Sequence, residues 1–187
     1  MVIDQLGKYS EIFEIIEREY GEKIDMYNMN LEDEKVFDYF KKGYCQDIFQ
    51  FGTSAFISYM KKLQPDDIHE LIDAVALIRP GAMEVNSHNE YVLRKFGERE
   101  ITYKYGTEEI TKKTKGLLIT QEQIILLCQS LGGFTLAEAD DVRKAIGKKQ
   151  HDLMQLQKVK FLNGAIKNGC PQEDAIVTGK QIGRAHV

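Results

Sequence analysis

Apolar residues recur at helical spacing along most of this chain. From Tyr9 to Tyr20, Ile12, Phe13, Ile15 and Ile16 fall on one face, and Glu11, Glu14 and Glu17 face outward, which predicts a helix. A second helix, over roughly 32–42, follows the capping loop Asn28–Asn30 and stops at Gly43, with Lys41 and Lys42 suiting its C-terminal dipole. Gly52-Thr53-Ser54 caps a third that runs to Leu63. Pro65 starts a fourth, carrying Ile68, Leu71, Ile72, Val75 and Leu77, which must end near Arg79-Pro80-Gly81 because proline removes a donor and restricts its neighbour. The polar linker Asn86–Asn89 leads into Tyr91–Phe96.

Ile119–Lys149 holds two helical patterns joined by Gly132-Gly133. Thr120 has Gln123 three residues on, and Thr135 has Glu138 three residues on, so both starts fit a capping box. A long helix is predicted from Asp152 to Lys167, stopped by Asn168-Gly169, and Pro171 with Glu173 and Asp174 starts one more. Short strands are predicted at Val2-Ile3, with Asp4 on the edge, at Tyr44–Phe51, within Gly97–Thr107 through Ile101, Tyr103 and Tyr105, and at Leu117–Ile119. The fold class is therefore mainly α with a few short strands.

The length of 187 residues allows one domain, or a domain plus the edge of another, and 43% hydrophobic residues suffice for a core. The net charge of −4 hides an asymmetry: residues 1–40 hold eleven acids and four bases, while residues 142–168 hold seven bases and one acid. The second stretch could meet an anion such as nucleic acid. Cys45, Cys128 and Cys170 are far apart, so neither a zinc site nor a disulfide framework is indicated. With no basic-then-apolar leader and no run of membrane-span length, a soluble cytoplasmic protein is expected.

No G-x-S-x-G elbow occurs, and Gly179-Lys180 lacks the upstream glycine of a P-loop. The candidate chemistry is cationic. Arg143, Lys144, Lys148 and Lys149 cluster at the end of the second capped helix, and Lys144 and Lys148 share a face. Fixed cations suit a triphosphate; a helix C-terminus matched to its dipole explains the same residues. Arg79 can point its fork at a phosphate or cap the preceding carbonyls. Gln50 with Thr53 and Ser54 forms a polar cluster that capping also explains, Gln121 lies in a first helical turn, and Asp4 alone is a surface carboxylate.

Taken together, ordered blocks change the picture: Asp4-x-Leu6-Gly7, FQFGTSAF (49–56), VALIRPGAME (75–84), TQEQIILLCQSLGGFTLAEADDVRKAIGKK (120–149) and FLNGAIKNG (161–169). Over about residues 2–175 the chain resembles the alpha-subunit family of bacterial DNA polymerase III, the C-family replicative polymerases, and their phage relatives. The resemblance implies that residues 1–30 are the C-terminal edge of a palm domain and 31–175 part of a fingers domain. In that family three palm carboxylates hold two magnesium ions, and the metals clamp the attacking and leaving oxygens. Asp4 matches the third carboxylate, and would be both catalytic and metal-binding. The family's upstream Asp-x-Asp pair has no counterpart in this sequence, and Gln5 stands where an apolar residue is usual.

Arg143 and Lys144 match a basic pair that holds the dNTP triphosphate. The usual pair is Arg-Arg, so Lys144 keeps the charge without the planar fork. Arg79 matches the arginine of the Arg-Pro-Gly motif, with Ala82 in place of a second proline. Lys148 joins the nucleotide-binding set, and Gln50, Ser54 and Gln121 are further candidate contacts in the fingers, although Gly52 stands where many members have Glu. The function implied is that of a DNA-directed DNA polymerase fragment, inactive alone because one carboxylate cannot hold two metals. Its partners would be primer–template DNA, dNTP, and in the intact protein a sliding clamp and other replisome subunits, with no membrane. Two readings compete: a non-catalytic helical module that binds nucleic acid through residues 142–168, and a protein-interaction domain whose charges are solvated faces. The last residues, Gln181–Val187, match one translation frame of a common sequencing-library adapter, so 176–187 is expected to be a non-native tail.

Overall fold

The computed structural model describes residues 2–148 and 150–184, and side chains for all of these except 2–6, 151, 183 and 184. The chain divides into two compact units, 1–34 and 35–187. In the first, α1 (Val2–Tyr20) ends at Gly21, whose φ of 70° only glycine adopts without strain. Asp25 then organises a turn, accepting from the Tyr27 backbone N–H at 2.9 Å and from Asn28 Nδ2 at 2.7 Å. The strand expected at Val2-Ile3 is thus helix.

The second unit is built from α2 (Glu34–Lys42), α3 (Ser54–Leu63), α4 (Ile68–Leu77), α5 (Pro80–Glu84), α6 (Ser87–Lys95), α7 (Glu108–Thr111), a 3-10 turn (Lys112–Thr114), α8 (Gln121–Ser130), α9 (Leu136–Gly147), α10 (His151–Lys167) and α11 (Gln172–Arg184). Thr53 and Asp67 cap α3 and α4 by accepting from the backbone N–H three residues on. Proline at position 80 both ends the run of α4 and opens α5 at its first position. Asn86, at φ 60°, turns the chain into α6, so the expected polar linker is already helix from Ser87.

The short strands do not form: every regular element among the described residues is helical. Tyr44–Phe51 is a pair of turns, closed by Ile48 N–H to Cys45 O and Phe51 N–H to Ile48 O. Ile101–Lys104 follows the end of α6 without regular structure and turns at Thr107, whose N–H reaches Lys104 O. Leu117–Ile119 is irregular, but its last N–H goes to a side chain, Gln123 Oε1 at 2.8 Å. A buried N–H needs an acceptor, and that amide supplies one without a neighbouring strand.

Two hydrophobic cores result. The first joins Phe37, Phe40, Phe51, Phe56, Tyr59, Met60, Leu63, Leu71, Leu77 and Tyr91. Beside it lies a charged network: Glu70, 5% exposed, pairs with Lys95 at 2.6 Å and Lys115 at 3.2 Å, and Tyr91 Oη donates to Asp73 at 2.7 Å. The second joins Ile124, Leu127, Cys128, Leu131, Phe134, Val142, Ile146, Phe161, Ala165 and Ile182. Ile182 lies in the segment expected to be a non-native tail; Ala185–Val187 fall outside the described residues. Gln123 links the two halves. Its Oε1 accepts from Ile119 and Thr120 N–H, and its Nε2 donates to Ile110 O and Thr114 Oγ1. Among the described residues no helix is long and apolar enough to cross a membrane.

Candidate functional site

The site grows from the two capped helices. Thr120 Oγ1 accepts from Gln123 N–H while Gln123 reaches back to the Thr120 N–H, and Thr135 and Glu138 repeat the arrangement at α9. Between them the chain reverses at Gly132-Gly133. Gly133 has φ 67°, and Phe134 N–H bonds to Cys128 O at 3.0 Å. α9 therefore returns along α8, burying Ala139, Val142, Ala145 and Ile146. This reversal brings Arg143, on the penultimate turn of α9, beside Gln121, in the first turn of α8.

Arg143 Nη1 donates to Gln121 Oε1 at 3.2 Å, and its Nε donates to Asp140 Oδ1 at 2.7 Å. The other oxygen of Asp140 takes Lys144 Nζ at 2.8 Å, and Asp141 lies 3.6 Å from the same ammonium. The Arg143 side chain is 32% exposed and that of Lys144 51%. Lys144 and then Arg143 hold the Asp140 carboxyl below the usual carboxylate range, and Asp140 in turn raises the Lys144 ammonium. The cations are oriented by carboxylates of their own helix and do not form a bare positive patch.

Next to Gln121 lies a cleft of about 430 Å³, within the usual range for small-molecule sites. Its walls are Ile72, Val75 and Ala76 of α4 with Arg79, and Ile119, Thr120, Gln121 and Glu122 at the start of α8. Arg79 Nε donates to Val75 O at 3.2 Å, so this arginine caps a carbonyl of α4 and lines the cleft at once.

Four expected site residues thus come together: Arg79 and Gln121 on the cleft, Arg143 joined to Gln121, and Lys144 joined to Arg143 through Asp140. Lys148 is the exposed C-cap of α9, one turn beyond Lys144. Lys149 lies outside the described residues. Gln50, at φ 70° in the turn before α3, and Ser54, the first residue of α3, flank the first core and do not line the cleft. Asp4 falls within α1, in the other unit, and its side chain lies outside the described ones. Among the described residues no group of three His, Cys, Asp or Glu could hold a metal ion. Sequence reasoning missed Asp140, although its spacing of three and four from Arg143 and Lys144 is the one that lets helix side chains pair.

A family model for the finger domain of the bacterial DNA polymerase III alpha subunit matches residues 5–169. Similar proteins include the DNA polymerase III subunit alpha of Aquifex aeolicus, 37% identical over 161 residues, which are 86% of this chain and 14% of that protein. That of Helicobacter pylori strain J99 is 35% identical over 156 residues, 83% of this chain and 13% of its own length. That of Saccharopolyspora erythraea is 29% identical over 176 residues, 91% and 15% respectively. The chain thus spans about a seventh of the length of the curated relatives it matches. With the model covering the capped helices, the Arg79 corner and the block around Gly164, this chain belongs to the finger-domain family of the bacterial DNA polymerase III alpha subunit.

Proposed function

We propose that this chain is the nucleotide-binding fingers part of a DNA-directed DNA polymerase, which transfers nucleotidyl groups from dNTP to a primer 3′ end. The observation that carries this reading is the cleft lined by Arg79 and Gln121, with Arg143 bonded to that same Gln121 and Lys144 sharing Asp140 with Arg143. Arg143 and Lys144 hold the triphosphate, whose charge grows on the leaving group during transfer. Arg79 approaches from the far wall, and Lys148 adds charge one turn on. Gln50 and Ser54, away from the cleft, are further candidate contacts in the fingers. Residues 31–175 are the fingers and 1–30 the palm edge, with 176–187 non-native.

The described residues offer no cluster that fits a pair of magnesium ions. Asp4 is the metal-binding and catalytic carboxylate of this reading, and the others belong to the rest of the polymerase. The isolated chain therefore binds without extending a primer. In the intact protein its partners are primer–template DNA, the sliding clamp and other replisome subunits, in the cytoplasm.

Fluorescence anisotropy with labelled dNTP and with labelled primer–template tests this. Binding should fall with added salt and be lost in Arg143→Ala plus Lys144→Ala. DNA binding without dNTP binding would favour a non-catalytic nucleic-acid module, and no binding of either at low salt would leave a protein-interaction domain. Primer extension by the purified chain with magnesium and dNTP would refute the argument from missing carboxylates.

A further inference from the structure

Gln121 resembles a solvent-facing residue of a first helical turn, yet its side chain is the contact that carries α8 to the cation pair of α9. We infer that Gln121 is a positioning residue for Arg143, orienting its guanidinium toward the phosphates without touching the nucleotide; this rests on the reading of Arg143 as a triphosphate clamp.

A partly exposed arginine on a helix samples many rotamers, and binding a phosphate with a fixed fork requires that freedom to be removed beforehand. Two acceptors do this here. Asp140 Oδ1 takes Nε from within α9, and Gln121 Oε1 takes Nη1 from α8. Two contacts at different nitrogens define the plane of the group, whereas Asp140 alone would leave it to rotate. Nη2 enters neither contact, so the held guanidinium keeps donors for an incoming anion.

The acceptor on α8 is itself well anchored. It is the first residue of a helix whose start is fixed by the Thr120–Gln123 capping box, and Gln123 is 6% exposed and bonded at both ends of its amide. Gln121 also lines the cleft that Arg79 shares. The two arginines, on different elements, are thus referred to one helix start. Asp140 has a different part: each of its oxygens takes one cation, and it stays with α9 whatever α8 does.

The test uses the 187-residue chain with Gln121→Met, which keeps length and stem but removes the acceptor, and Gln121→Ala, each alone and combined with Arg143→Ala. Dissociation constants for a fluorophore-labelled dNTP and melting temperatures are measured together. Both single variants should weaken dNTP binding roughly threefold to tenfold, the low end for a hydrogen bond to a charged, partly exposed group. Their melting temperatures should not move, and neither substitution should weaken binding further once Arg143 is alanine. Equal weakening with and without Arg143 would mean that Gln121 touches the nucleotide itself, and would overturn the inference. So would unchanged affinity in both single variants, or affinity lost only in step with melting temperature. If Arg143→Ala alone leaves dNTP binding intact, the clamp reading fails first and this inference falls with it.

Discussion

Gly164 sits in the middle of α10, where alanine is ordinarily the better helix former by about 1 kcal/mol. Propensity alone therefore predicts that Gly164→Ala stabilises the protein. The packing predicts the reverse. A Cβ at position 164 would overlap the carbonyl oxygen of Gly132 and stand 2.8 Å from its carbon and 3.3 Å from its Cα. These are backbone atoms of the turn between α8 and α9, so no side chain can swing aside, and α10 must retreat by about 1 Å. That retreat loosens Phe161 and Ala165, which are 2% and 0% exposed. Overpacking costs about 1–3 kcal/mol, and a backbone clash belongs at the upper end. After the propensity gain the net destabilisation is about 2 kcal/mol, or roughly 4–8 °C in Tm for a chain of this size. Gly179→Ala is the matched control. It is also helical, but its added Cβ meets Phe161 Cδ1 at 3.5 Å and Lys158 Cγ at 3.9 Å, which is ordinary contact. Thermal and urea unfolding, followed by circular dichroism, should move in opposite directions for the two variants. A Gly164→Ala protein as stable as wild type, or more so, would refute the close approach of α10 to the Gly132 turn.

Two further predictions concern pH. Burial raises the Asp73 carboxyl above its usual 3.8, so its contribution is fully present below that value and lost as pH rises through the folded-state pKa; Asp73→Asn keeps an acceptor for Tyr91 Oη, and should flatten this slope and raise the urea midpoint at pH 7. Glu138 is shifted the other way, from 4.5 to about 2, chiefly by the hydrogen bond from Lys160, so its contribution is present above 4.5 and lost as pH falls toward 2. Glu138→Gln retains the capping box but not the charge, and should remove that acid-side loss in a series of melts from pH 2 to 6.

Much of the helical frame was legible because its signals are local. Thr120–Gln123 and Thr135–Glu138 cap where their spacing says, Gly133 takes the left-handed conformation that ends α8, and Lys41-Lys42 close α2. The strands failed because alternation measures only which faces are apolar. A strand also needs a partner ladder, and at Ile119 and Thr120 a glutamine side chain satisfied the backbone in its place. For the site, the cations were legible but their setting was not. That Asp140 brackets both could be read from helix spacing, whereas the meeting of Arg79 with the start of α8 depends on how α4 packs, which no local pattern encodes. Gly164 is the intermediate case: the FLNGAIKNG block marked it, and the approach of the Gly132 carbonyl explains it.

The amide of Gln123 constrains chemistry more tightly than any of the cations. Oxygen and nitrogen of that one group each serve two neighbours: two donors on one side, two acceptors on the other. Turning the amide over would set donor against donor at Ile119 and Thr120 and acceptor against acceptor at Ile110 O, and would draw the Thr114 hydroxyl proton away from the carbonyls it now serves. Glutamate would bring a second acceptor to Ile110 O, asparagine is one carbon too short, and lysine or arginine has nothing to accept with. Hydrolysis of this single amide, a slow ageing reaction that alters one atom, would therefore leave Ile110 O facing an acceptor at the joint between the two cores. A phosphate, by contrast, is served by either lysine or arginine, which differ in geometry but not in sign. In this fold the exacting position lies in the frame, and the cationic surface has the freer choice of residue.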